Sequence, residues 1–199
     1  MQPVTNLPPG SFFNNDIEAI YDIACKLPDS GLLVEIGSFV GRSASCWAQI
    51  FRQLGKKYRI YCLDTYHNSI DEIYKRNRNF ENYFRDNPKV MSMNNFQFIQ
   101  YAVRDYPEII CIEFDLFKMS PKDLGITQVD CVFDDSLHSK QSIEKCFDDW
   151  YPIINPGGVY CGHDYDSNFP TVVNTVNRIA QTNDLTVHNK DSSVFYFLK

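Results

Sequence analysis

The sequence lacks the features of a secreted or membrane-spanning chain. No apolar run is long enough to cross a bilayer, and residues 1–10 are polar and carry proline, unlike a signal peptide. The seven cysteines are an odd number and include no CxxC pair, so they do not indicate a disulfide framework. These absences predict reduced core thiols, a cytoplasmic location and no membrane partner.

The sequence also lacks an excess of positive charge. It contains 19 lysines and arginines against 25 acidic residues, for a formal net charge of −6. A surface that follows a nucleic-acid backbone needs a dense basic patch. We therefore expect a small-molecule partner and no nucleic acid, and the composition leaves a homo-oligomer open.

The length of 199 residues and the ordinary share of apolar residues, 44%, predict one domain over residues 1–199. Apolar periodicity predicts helices at Asp16–Lys26, Arg42–Leu54, Ile70–Phe84, Asn94–Tyr101, Ser139–Trp150 and Thr171–Ala180. Residues 1–30 form an N-terminal helical segment in this prediction, and residues 65–107 form a long insert between two strands.

Short apolar runs alternate with these helices. They predict strands at Leu32–Ile36, Tyr58–Leu63, Ile109–Phe114, Val129–Phe133, Val159–Cys161, Leu185–Val187 and Val194–Leu198, with a turn at 156–158. Alternation of this kind is typical of an α/β fold with helices on both faces of a mostly parallel sheet. The last two strands predict a C-terminal antiparallel hairpin.

A glycine turn connects the first strand to the next helix. The turn runs from Gly37 to Gly41, and the helix that follows presents free N–H groups to a carboxylate or a phosphate. A Walker loop needs four residues between its glycines and then lysine, whereas here there are three and Arg42. A dinucleotide turn needs a further glycine where Ser38 and Phe39 stand.

A ligand that carries a carboxylate and a ribose but no phosphate remains, and S-adenosylmethionine (SAM) fits that description. Asp64 ends the second strand, where its carboxylate can accept hydrogen bonds from both ribose hydroxyls. The alternative is that the two glycines only make a tight crossover and that Asp64 only caps the next segment.

Acids and histidines also follow the fourth and fifth strands. Asp135 and His138 come after one strand, and His163 and Asp164 come after the other. Parallel strands end at the same sheet edge, so we expect these side chains to meet. Asp135, His163 and Asp164 can then hold a divalent cation such as Mg²⁺, and His138 or His163 can take a proton from a bound hydroxyl. The alternative is a helix cap and a polar turn.

Several motifs together resemble the class I methyltransferases, in particular a small bacterial group of macrocin O-methyltransferase-like and cephalosporin hydroxylase-like proteins. The motifs are EIGSFVGRS at 35–43, DTY at 64–66, FDDSLH at 133–138, PGG at 156–158 and GHDY at 162–165. The resemblance spans residues 32–199. It implies a single Rossmann-like three-layer domain with a seven-stranded sheet.

The resemblance also implies site residues. It places SAM over the turn that contains Glu35, Gly37, Ser38, Gly41, Arg42 and Ser43, the ribose on Asp64, and the adenine near Asp115 and the loop of Asp135, Ser136 and His138. It implies magnesium at Asp135, His163 and Asp164. The chemistry of the strand ends, described above, makes Asp135, His138 and His163 the candidate catalytic residues. The sequence departs from the family at Leu137, where a second acid is common, and at His163.

The insert after Asp64 lies where relatives build a substrate lid. Its aromatic residues either line a pocket or pack in a core, and irregular spacing favours packing. The function implied is O-methylation of a small polar acceptor, such as a sugar or a hydroxylated metabolite. Two other functions stay open, namely a metal-dependent hydroxylase-like enzyme and a nucleoside-binding module without turnover.

Overall fold

The computed structural model describes residues 1–76 and 80–199. Helices are found at α1 (Asn14–Lys26), α2 (Arg42–Gln53), α3 (Ile70–Arg76), α4 (Glu81–Asp86), α5 (Asn95–Ala102), α6 (Lys140–Trp150) and α7 (Pro170–Thr182). Where one helix over Ile70–Phe84 was predicted, α3 and α4 stand in the described residues, and residues 77–79 of that prediction lie outside them.

Seven strands of the described residues form one sheet. They are β1 (Ser30–Ile36), β2 (Lys57–Asp64), β3 (Ile109–Glu113), β4 (Val129–Asp134), β5 (Ile154–Gly162), β6 (His188–Asn189) and β7 (Phe195–Leu198), in the order β3-β2-β1-β4-β5-β7-β6. The pairs from β3 to β5 are parallel, whereas β7 runs antiparallel to both β5 and β6. The predicted fold class, a Rossmann-like α/β sheet with a C-terminal antiparallel hairpin, is confirmed.

Helices cover both faces of the sheet. On one face α1, α2 and α5 bury a cluster that includes Trp47 and Phe133. On the other face α6 and α7 bury a cluster that includes Trp150 and Tyr160. Both faces of the central strands are therefore apolar, which explains their nearly continuous hydrophobic runs.

The insert has a small core of its own. Phe84, Val90 and Phe98 are buried together with Val40 of the glycine turn. The aromatic side chains of the insert therefore serve mainly as packing, which agrees with the interpretation that the irregular spacing favours.

One strand prediction and one turn prediction need correction. The strand predicted at Leu185–Val187 is found at His188–Asn189, because the Leu185 N–H donates to the Ala180 carbonyl at the end of α7 and is not free to pair in the sheet. The turn predicted at residues 156–158 lies inside β5, where the register against β4 shifts and the chain continues in the same strand.

The helices of the structure can be compared with the length and apolar character that a membrane span needs. Among the described residues, no helix is both long and apolar enough to cross a bilayer.

Candidate active site

A cavity of about 650 Å³ opens where the parallel strands end. Every predicted site residue except Glu35 and Gly41 lies on its wall. The residues on the wall are Gly37, Ser38, Arg42, Ser43, Asp64, Asp115, Asp135, Ser136, His138, His163 and Asp164. The sheet topology therefore brings together groups that are up to 127 positions apart in the sequence.

The glycine turn packs directly against the loop that follows β4. Gly37 has a φ of +89°, and a Cβ on it would lie 2.1 Å from the carbonyl oxygen of Asp135. The Gly37 N–H donates to Leu63 O, and the Asp135 N–H donates to Ile36 O, each at 2.8 Å. Only glycine fits this place, and the turn and the Asp135 loop are held as one surface.

Asp64 organises the wall beside the turn. Its Oδ2 accepts the N–H of Phe39 at 2.8 Å, and its Oδ1 accepts the N–H of Tyr66 at 3.0 Å. Both donors have left-handed backbones, with φ of +49° and +52°. These conformations are costly for side chains of this size, so the carboxylate stabilises two strained residues. Oδ1 also accepts the hydroxyl hydrogen of Thr65 at 3.5 Å, whereas Oδ2 retains a lone pair for a ligand.

Asp115 follows β3 on the same wall. Its Oδ1 accepts the N–H of Phe117 at 3.0 Å, and its Oδ2 lies 2.7 Å from the ammonium of Lys118. The contact with Lys118 lowers the pKa of Asp115. Asp115 is therefore an ionised acceptor at the edge of the cavity.

The far end of the cavity carries Asp135, His138 and Asp164. One potential ligand atom from each of the three lies within 4.8 Å of the others. His138 Nε2 is 2.6 Å from Asp164 Oδ2, and this contact raises the pKa of His138. Burial raises the pKa of Asp135 to about 7. These two carboxylates and one imidazole offer the donor types of a divalent cation site.

His163, which the sequence predicts as a metal ligand and a candidate base, is buried beside Asp135 and Asp164. It is only 7% exposed, with Nδ1 3.2 Å from Asp164 Oδ1 and 3.7 Å from Asp135 Oδ1, while Nε2 lies 3.4 Å from Asp16 Oδ2. Burial opposes its charge, yet the surrounding carboxylates raise the pKa of His163 to about 10. An imidazolium can neither bind a cation nor accept a proton, and the group of close potential ligand atoms contains His138 and not His163.

Asp16 completes this arrangement from the opposite end of the chain. Its Oδ2 also accepts the N–H of Phe13 at 3.0 Å, and its Oδ1 accepts the N–H of Ser193 at 3.1 Å. His163 and Asp16 together therefore connect α1 and the C-terminal hairpin to the base of Asp164.

Most residues that line this cavity lie in a segment that matches a known protein family. A family model described as a methyltransferase domain matches residues 34–165, which is more than half of the 199-residue chain. The chain belongs to this methyltransferase family. The match includes the glycine turn, Asp64 and all three residues of the Asp135, His138 and Asp164 group.

Solved structures share the fold of this methyltransferase at low identity. The O-methyltransferase NovP has a TM-score of 0.68 at 16% identity, covering 93% of this chain and 79% of that one. An O-methyltransferase from Bacillus cereus in complex with SAH (S-adenosylhomocysteine) gives 0.62 at 12%, covering 98% and 85%. The mycinamycin-pathway methyltransferase MycE, in complex with Mg and SAH, gives 0.59 at 17%, covering 96% and 51%. No curated protein sequence matches the methyltransferase.

Gly41 does not lie on the cavity wall. With a φ of +84°, it begins α2 on the side that faces α5, and a Cβ there would lie 2.7 Å from Val103 Cγ1. This glycine is needed for the close approach of α5, and no geometry of the methyltransferase assigns it to a cofactor.

Arg42 lies on the wall, but its guanidinium is engaged elsewhere. Nε donates to Phe12 O at 2.8 Å, and Nη1 donates to Pro8 O at 2.7 Å. Residues 9–12 thereby become part of the cavity wall. Sequence analysis misses this strap (residues 8–12), because its residues show no periodicity and no charge. Only the position of Arg42 after the turn is a sequence signal.

Glu35 lies beneath the turn and is fully buried. Its Oε1 accepts the hydroxyl hydrogen of Ser43, whereas Oε2 has no partner among the described residues. Burial raises the pKa of Glu35 to about 8. The methyltransferase therefore holds it as a neutral acid at pH 7, away from the cavity wall where a cofactor contact was predicted.

Glu35 predicts a pH dependence of stability. Because its pKa is raised on folding, the folded state keeps a proton that the unfolded state loses above about pH 4.5. The free energy of unfolding should fall between about pH 5 and about pH 8, by at most about 1.4 kcal/mol per pH unit. Glu35→Gln, which cannot ionise, should lose less over that range in urea unfolding. Parallel pH profiles for the two proteins would contradict the assignment.

Proposed function

We propose that this methyltransferase uses SAM and methylates an oxygen atom of a small hydroxylated acceptor. One observation carries the proposal, namely that a single cavity joins the glycine turn and Asp64 to the group of Asp135, His138 and Asp164. The first part of the cavity suits a nucleoside with an amino-acid tail, and the second suits a hydroxyl group that must lose its proton.

The donor set of the wall fits SAM. The first-turn N–H groups of α2, at Arg42 and Ser43, have no helical partner and suit the carboxylate of the cofactor. Asp64 suits the ribose hydroxyls, and Asp115 suits the exocyclic amine of adenine. The cavity of about 650 Å³ lies within the usual range for such ligands. Bound SAM supplies an electrophilic methyl group, whose transfer to oxygen leaves the thioether SAH.

The protein's own part is to remove the acceptor proton. Asp164 orients His138 through Nε2, so Nδ1 of a neutral His138 is left to accept a proton. Asp135 and Asp164 have carboxylate oxygens that suit a divalent cation, which would acidify the acceptor hydroxyl. Motifs like those of the macrocin O-methyltransferase-like group, and the Mg and SAH complex of the MycE neighbour, support this division of roles.

Calorimetry with SAM and SAH tests the cofactor part. The wild type should bind both, and Asp64→Ala should weaken binding by about tenfold to a hundredfold, as for the loss of a hydrogen bond to a charged group. Asp64 also holds Phe39 and Tyr66, so Asp64→Asn, which keeps one acceptor oxygen, should fall between the two. Asp86→Ala, at an exposed position outside the wall, is the control.

Thermal unfolding of each variant separates a lost ligand contact from a lost fold. A wild type that stays folded at millimolar SAM without binding it would reject the proposal. Metal-dependent oxidation of a substrate without SAM would favour the hydroxylase-like alternative. Binding of SAM with no methyl transfer to any acceptor would favour a module without turnover.

A further inference from the structure

We propose that the acceptor is an uncharged molecule that carries its hydroxyl group on an aromatic ring, and that Phe169 and Leu137 bind this ring. The inference rests on the proposed function and deepens it, because it names the substrate class. It excludes phosphorylated and nucleotide-linked sugars as acceptors.

The position of the base determines where the acceptor body lies. An acceptor hydroxyl must come within hydrogen-bond distance of His138 to lose its proton. The Phe169 ring lies beside that imidazole, with ring centroids 4.7 Å apart and planes tilted by 51°. Leu137 precedes His138 in the same loop, and all three side chains lie on the cavity wall. The carbon skeleton next to the reacting hydroxyl therefore meets an apolar surface.

The apolar surface beside His138 includes a large side chain that is exposed to solvent. Leu137, beside His138 on the wall, is 62% exposed. Large apolar side chains at the mouth of a cavity gain free energy when a ligand removes them from water. A sugar ring presents mostly hydroxyl groups and would leave this surface poorly matched, whereas an aromatic ring would cover it.

The charges of the wall argue against an anionic acceptor. Four aspartates line the cavity, namely Asp64, Asp115, Asp135 and Asp164. No lysine lines it among residues 1–76 and 80–199. The guanidinium of Arg42 is already bonded to Phe12 O and Pro8 O. Apart from a metal ion held by Asp135 and Asp164, a phosphate or diphosphate group would therefore find no free lysine or arginine to pair with on the described part of this wall.

A matched acceptor panel tests the inference. Catechol and methyl gallate represent uncharged aromatic acceptors, methyl rhamnoside represents a neutral sugar, and TDP-rhamnose represents a nucleotide-linked sugar. SAH formation and the methylated product are measured with the full chain, SAM and Mg²⁺. We expect turnover of the aromatic acceptors, and a kcat/KM at least about tenfold lower for the sugars.

Variants locate the effect on the wall. Phe169→Ala should raise the KM for catechol by about tenfold, with the affinity for SAM unchanged, and Phe169→Leu should restore part of the loss. Phe169 is half-buried, so Leu137→Ala, at an exposed position, gives a second test that does not endanger folding. Phe13→Ala, at an exposed phenylalanine outside this cavity, is the control.

The outcomes distinguish the inference from the function on which it depends. Preferred turnover of methyl rhamnoside or TDP-rhamnose would overturn the aromatic acceptor and leave the methyltransferase proposal standing. SAM binding without methylation of either aromatic acceptor would also overturn it. A protein that fails to bind SAM would overturn the proposed function itself.

Discussion

Replacing His138 with alanine is expected to lower kcat by about 10²- to 10⁴-fold, the usual contribution of a general base. The affinity for SAM should fall far less than kcat, because only the adenine is expected near His138, whereas the hydrogen bonds proposed for the cofactor lie at the glycine turn, Asp64 and Asp115. The measurement is steady-state formation of SAH on any acceptor that the wild type methylates, together with calorimetry for SAM. The physical reason is the 2.6 Å contact of His138 Nε2 with Asp164 Oδ2, which orients the imidazole.

Asp164→Asn and the double variant sharpen this test. If Asp164 acts through His138, the double variant should be little slower than the slower single variant, because groups that act as a unit are not additive. His188→Ala is the matched histidine control, since that ring stacks on Tyr196 in the C-terminal hairpin, outside the cavity wall. An unchanged kcat in His138→Ala would remove His138 from the proton transfer.

Replacing Gly37 with alanine is expected to cost about 2–5 kcal/mol of folding free energy and to abolish SAM binding. Two costs add at this position. The backbone is left-handed, with a φ of +89°, and the new methyl group would lie 2.1 Å from the backbone carbonyl oxygen of Asp135. Backbone cannot move aside as the end of a flexible side chain can, so the turn and the Asp135 loop would have to separate. Urea unfolding and calorimetry measure the two effects.

Gly157→Ala separates the clash from the backbone cost. Gly157 has a similar φ of +82°, but a Cβ there would meet no atom within 4 Å. This variant should lose only about 1–2 kcal/mol and should bind SAM normally. Equal destabilisation of the two variants would show that the contact with Asp135 is unimportant.

Much of the fold is predictable from the sequence, because the central strands are buried on both faces and so carry short, continuous apolar runs. The failures occur where local hydrogen bonds compete with the sheet. Leu185 looks like strand but donates its N–H to Ala180 O. Gly157 and Gly158 look like a turn but lie in an irregular stretch of β5. Neither the hydrogen bond of Leu185 nor the position of the two glycines inside β5 can be inferred from neighbouring residues alone.

The gathering of polar groups in the cavity is predictable, since parallel strands end at one edge. The orientations of these polar groups cannot be predicted from the sequence. Sequence spacing treats His138 and His163 alike, but His163 is buried beside Asp16 and Asp164, whose carboxylates raise its pKa, whereas His138 lies at the surface. Gly41 and Arg42 both belong to the predicted cofactor motif. In the structure Gly41 packs against α5, and Arg42 donates hydrogen bonds to the strap of residues 8–12. Such partners are far away in sequence, and no local pattern marks them.

Asp16 connects α1 and the segment before β7 to His163 and so to Asp164, although neither supplies a residue to the group of Asp135, His138 and Asp164. A change that moves Phe13 or Ser193 away from Asp16 would therefore also shift His163 and, through it, the carboxylate that orients His138.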